Sequence, residues 1–113
     1  GLNVVFHELA HAVDMMAGTT NGTPLLKNRA DYAPWHQTMS ATFETLRQRY
    51  ATGGRDIIRP YGLTNVAEFF AVTTECFFDA PIPFRAAHPT VYEQYVTFWG
   101  QDPASRPWPH KRR

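Results

Sequence analysis

Cysteine is almost missing from this sequence: Cys76 is its single example, so no disulfide can close within the chain. That usage fits a reducing compartment. No run of about 18 uninterrupted apolar residues occurs, which leaves no transmembrane helix to expect. The first residues do not read as a signal peptide, because no basic stretch precedes an apolar run and a cleavage site. Charge of one sign is scarce too. Eleven Lys and Arg against ten Asp and Glu leave a net charge of +1, which argues against a polyelectrolyte partner such as nucleic acid. Four of the basic residues (Arg106, Lys111, Arg112 and Arg113) fall in a short C-terminal tail that reads as a solvated terminus. No internal repeat is visible, and no strand is strongly signalled.

What is present is enough for one packed domain. The chain has 113 residues, 43% of them hydrophobic and 14% aromatic, which supports a modest core rather than disorder. Residues 2–17 carry Leu2, Val5, Phe6, Leu9, Val13 and Met16 at spacings of three and four, and the pattern predicts a helix with these on its apolar face. Gly18 is expected to stop it in a left-handed cap, followed by a loop from Gly18 to Asp31. A second helix is expected from Pro34 to about Ala51, with Trp35, Met39, Phe43, Leu46 and Tyr50 on one stripe and Gly53-Gly54 at its end. Asp56 to Leu63 reads as extended. A third helix is predicted from about Asn65 to Phe78, stopped by Pro81 and Pro83, and a fourth from near Pro89 to before Gly100. The expectation is a mainly helical domain over residues 1–102, with 103–113 as a flexible Pro-rich basic tail.

The strongest chemical signal lies at the start. His7-Glu8-Leu9-Ala10-His11 fits the pattern H-E-x-x-H inside the predicted amphipathic helix. Residues four apart on a helix are separated by about 40° and 6 Å, so the two imidazoles can converge on one ion. Glu8 lies about 100° further round, within reach of a metal-bound water but poorly placed as a ligand. The chemistry divides accordingly: zinc acidifies its water and the carboxylate takes the proton. The motif opens so close to Gly1 that the chain reads as a fragment of a longer protein.

A catalytic zinc needs a third protein ligand. The longer pattern with a glycine and a third histidine is not met, because Asp14 and Ala17 occupy those places. The remaining candidates are His36, Glu44, Glu68, Glu75 and His88. Glu68 and Glu75 stand out because the third helix is otherwise almost wholly apolar, and a buried carboxylate needs a cation or another partner. Seven residues apart, they share one helical face. Asn65-x-x-Glu68 also fits a capping box, in which Glu68 would serve a backbone amide instead.

The stretch HELAHAVDMMAG, then Tyr61-x6-Glu68-Phe69-Phe70-Ala71-Val72, then Glu75-Cys76-Phe77-Phe78-Asp79-Ala80-Pro81, resembles the Mlc titration factor A family of bacterial zinc peptidases. The core of that family is similar to that of anthrax lethal factor. The likeness runs from residue 2 to Asp102-Pro103. It implies a zincin-like subdomain in which His7, His11 and Glu68 bind Zn2+, Glu8 is the general base, and Tyr61 donates a hydrogen bond to the developing oxyanion. It also implies aminopeptidase-like action on short substrates, a cytoplasmic setting and a transcriptional repressor as partner. From the residues alone, Tyr61 reads first as an ordinary half-buried tyrosine. Asp14 reads either as an acid that orients an imidazole or as a surface or helix-end group. Glu75 reads as a similar support or as the partner of an arginine. Trp35, Phe43, Phe77, Phe78, Tyr92, Tyr95, Phe98 and Trp99 are expected in the core. His36, His88 and His110 fit no metal spacing, and Cys76 reads as structural.

Two further function classes stand beside the peptidase. One is a repressor-sequestering binding protein with a vestigial or regulatory site, against which the intact His7, Glu8, His11 and Tyr61 set argues. The other is a metal hydrolase acting on some other carbonyl substrate.

Overall fold

The computed structural model describes residues 2–18 and 21–106. Among them, five α-helices form and no strand: α1 (Leu2–Met15), α2 (Tyr32–Ala51), α3 (Val66–Asp79), α4 (Pro81–Ala87) and α5 (Pro89–Trp99). Three short 3-10 turns, Arg29–Asp31, Pro60–Leu63 and Pro103–Ser105, join or follow them. The mainly helical expectation is met. No helix among the described residues is long and apolar enough to cross a membrane.

The apolar helix α3 is the axis of the fold. Nine of its fourteen residues are buried, and α1, α4, α5 and the turn at Pro60–Leu63 all pack on it. Tyr95 sits at the centre of an aromatic core. Its ring meets Phe70 at 5.9 Å and Phe77 at 5.7 Å, both edge-on, and Trp35 of α2 at 5.5 Å. Edge-on contacts suit the opposed charges of ring face and rim. Its hydroxyl lies 2.6 Å from Thr73 Oγ1, whose own proton goes to the Phe69 carbonyl at 2.7 Å, so neither buried polar group is left bare. The eight aromatics expected in the core lie in it or against it.

Four features differ from the sequence reading. The inward face of α1 is Phe6, His7, Ala10 and Asp14, while Val5, Leu9 and Met16 point outward at 57%, 42% and 75% exposure. The histidines themselves claim the packed side, and the small Ala10 lets α1 lie close on α3. The side chain of Leu2 is outside the described residues. Second, Pro81 and Pro83 do more than stop α3. With Pro81 in its first turn, where a missing N–H costs nothing, α4 starts at once. Third, the stretch expected to be extended folds at Pro60 into a 3-10 turn. Packing also continues past 102: Pro103 and Ala104 are buried, and Tyr92 Oη accepts the Ala104 N–H at 2.9 Å. Residues 107–113 of the tail, with His110, lie outside the described residues.

Candidate metal centre

Helix α1 is held on α3 by Phe6, which stacks on Phe78 with centroids 4.6 Å apart and planes 12° from parallel. One residue later His7 turns toward the same helix. At the other end, Gly22 adopts a φ of +79° and donates its N–H to Asp14 Oδ2 at 2.8 Å. A Cβ on Gly22 would stand 2.4 Å from the Val66 carbonyl oxygen, so only glycine lets the loop press on the start of α3. Asp14 is therefore a fully buried helix-end group that ties the loop to the helix. Its Oδ2 accepts from that backbone amide, not from an imidazole.

The start of α3 then delivers Glu68. Asn65 caps the helix by accepting the Glu68 N–H at 2.9 Å. Only half of the capping box forms, because the Glu68 carboxylate turns to the histidines instead. Its Oε1 is 2.9 Å from His7 Nε2 and 3.3 Å from His11 Nε2. One ligand atom from each of these residues lies within 4.8 Å of the others, and all three residues are half-buried. Bonds of about 2.0–2.1 Å in a tetrahedron would set ligand atoms about 3.3 Å apart, so this donor set fits a divalent cation.

Proton bookkeeping points the same way. His7 Nδ1 is hydrogen-bonded to Glu75 Oε2, so a neutral imidazole carries its proton there and turns a lone pair toward the Glu68 carboxylate. Two acceptors facing each other at 2.9 Å repel unless a positive charge lies between or on them. Arg59 completes the set, donating from Nη2 to both Glu75 oxygens at 3.0 and 3.3 Å while lying 5.2 Å over the Tyr61 ring. Glu75 thus contacts both groups considered for it, an imidazole and an arginine.

Of the five candidates for a third ligand, the structure brings Glu68 to the histidines. Glu75 is one bond further out. Glu44 is exposed and pairs with Arg47, His36 is exposed beside Tyr32, and His88 is bonded to Asp56 at 2.7 Å. Tyr61 is 47% exposed on the 3-10 turn, its ring 6.2 Å from that of His7. The Glu68 carboxylate is the main cause that pushes the Tyr61 phenol above its usual range, followed by desolvation and their hydrogen bond. A cleft of about 390 Å³ opens here, lined by Val4, His7, Glu8, Arg59, Tyr61 and Glu75. A larger one of about 640 Å³, at the N-terminal end of α2 and the C-terminal end of α5, holds none of these residues. Arg59 is the member that sequence reasoning left unnamed, although it stands two residues before Tyr61.

The sequence profile of the glucose-regulated metallo-peptidase M90 family matches residues 1–99. The uncharacterized protein slr2042 of Synechocystis is 37% identical over 103 residues, 91% of this chain and 38% of that relative. The Mlc titration factor A proteins of Cronobacter sakazakii and Pectobacterium atrosepticum are 36% and 35% identical over 109 residues, 94% of this chain and 41% of each relative. The chain spans about two fifths of the length of these curated relatives.

Proposed function

The chain belongs to the glucose-regulated metallo-peptidase M90 family, and on that premise we propose that it hydrolyses peptide bonds at a zinc ion held by His7, His11 and Glu68. The observation that carries this reading is the convergence of two imidazole nitrogens from α1 and one carboxylate oxygen from α3, residues 61 and 57 positions apart in sequence. Zinc bound there would supply Lewis-acid polarisation and a water acidic enough to ionise near neutral pH. Glu8 opens onto the same cleft, and in this reading it takes the proton of an attacking water. Tyr61 keeps its phenol protonated beside Glu68, as a hydrogen-bond donor to a developing oxyanion must. Aminopeptidase-like action on short peptides and a cytoplasmic setting are the finer parts of this proposal.

Zinc stoichiometry and peptide cleavage, measured for wild type and Glu8→Gln, test it. Zinc retained with turnover lost supports the assigned base, whereas equal turnover in both proteins overturns it.

The relatives named Mlc titration factor A favour a second reading, in which the protein captures a transcriptional repressor. A pull-down with Glu8→Gln separates the two: repressor held without turnover means that binding is independent of catalysis.

A further inference from the structure

We propose that Arg59 and Glu75 act as a positioning pair that fixes the orientation and tautomer of His7; this inference rests on the metal-centre reading above. Glu75 stands two turns beyond Glu68 on the same face of α3, with only 9% of its side chain exposed. At that depth a carboxylate with no partner would be costly. Arg59 supplies the compensating charge, and it reaches both Glu75 oxygens from one nitrogen. The oxygen nearer Arg59 is also the one that takes the His7 Nδ1 proton. With that proton held, the His7 lone pair sits on Nε2 and faces Glu68, which is the tautomer that metal ligation requires.

The arrangement is one-sided. Both imidazoles reach Glu68 through Nε2, but it is His7 that Glu75 holds from behind. Arg59 stands with its side chain 52% exposed at the cleft and its guanidinium over Tyr61. A single group thus braces the carboxylate behind one ligand and the ring that flanks it. A carboxylate present only to clip the 3-10 turn onto α3 would need Arg59 but not His7.

The full chain, labelled with 15N-histidine and freed of metal at pH 8, provides the test. Wild type should show His7 as the Nδ1–H tautomer, and Glu75→Ala should show a mixture, with the His11 signals unchanged as internal control. Zinc affinity by chelator competition should fall about 10–100-fold in Glu75→Ala. It should fall less in Arg59→Met, and recover in part in Glu75→Gln, whose amide oxygen still accepts from Nδ1. A structural clip predicts a different pattern: lowered melting temperatures with the wild-type tautomer and zinc affinity kept, and that result overturns the pair. Should Glu75→Ala fail to fold, Glu75→Gln and Arg59→Met carry the same two readouts. A wild-type chain that takes up no zinc overturns the metal-centre reading itself, whereas equal affinity in wild type and variants overturns the positioning role alone.

Discussion

At the scale of single residues, the same side-chain type takes its role from what surrounds it. Glu8, Glu68 and Glu75 share one functional group. Glu8 is exposed on the cleft, Glu68 faces two imidazoles, and Glu75 is enclosed between His7 and Arg59. Glu68→Ala should therefore abolish zinc binding in dialysis against trace metal. Glu8→Gln should leave both zinc content and melting temperature unchanged. Tyr61→Phe keeps the exposed ring but removes its donor, so kcat should fall about 100- to 1,000-fold with little change in KM or stability. Cys76 is governed by burial. Desolvation first, then the charge of Glu75, pushes its thiol up to about 12. The reactive thiolate is the deprotonated form, so at pH 8 Cys76 stays overwhelmingly the unreactive thiol in the folded chain. Iodoacetamide at pH 8 should leave Cys76 unmodified by mass spectrometry until denaturant is added.

At the scale of elements, precision comes from how helix ends and turns are fixed. Asn65 sets where α3 begins, and Glu68 is in the first turn it caps. Asn65→Ala should cost about 1 kcal/mol in chemical denaturation. It should also weaken zinc binding, because the carboxylate loses its anchored backbone. Gly62 lets the turn bearing Tyr61 lie against α3: a Cβ there would meet Ile58 Cγ2 at 3.2 Å and Val72 Cβ at 3.3 Å. Gly62→Ala should destabilise by about 1–3 kcal/mol through overpacking and lower kcat by displacing Tyr61. Both variants test whether the site depends on the backbone as well as on its own side chains.

At the scale of the whole molecule, the site rests on the aromatic core behind it. Phe77 is fully buried between Tyr92, Tyr95 and Phe78. Phe77→Ala should cost about 3–5 kcal/mol, a large share of the 5–15 kcal/mol typical of a domain. Zinc should raise the melting temperature of that variant, since ligation is available to the folded chain alone. Val5, Leu9 and Met16 lie exposed on the outer side of α1, so the hydrophobic periodicity of that helix marks its apolar residues without marking its packed face.

Sequence by itself determined four of the five helices (at α4 it marks only the prolines that stop α3), the glycines that end α1 and α2, the aromatic core and the pairing of His7 with His11. Each of these is local: spacings of three and four select a helix face, and Gly18 or Gly53 ends one within a few residues. The resemblance carried by the longer motif placed the chain in its family. Helical geometry left open which carboxylate faces the histidines and which stands behind one of them; the resemblance named Glu68, and the tertiary structure supplied the geometry. Glu68 and Glu75 share one face of α3, and helical periodicity assigns them the same direction. Their partners on α1 are 57 to 68 residues away, so in the fold it is the packing of α1 across α3 that tells them apart. The same packing buried Asp14 beneath the loop and brought Arg59 to Glu75, because a charge can be placed inside only once its counter-charge has a position in space.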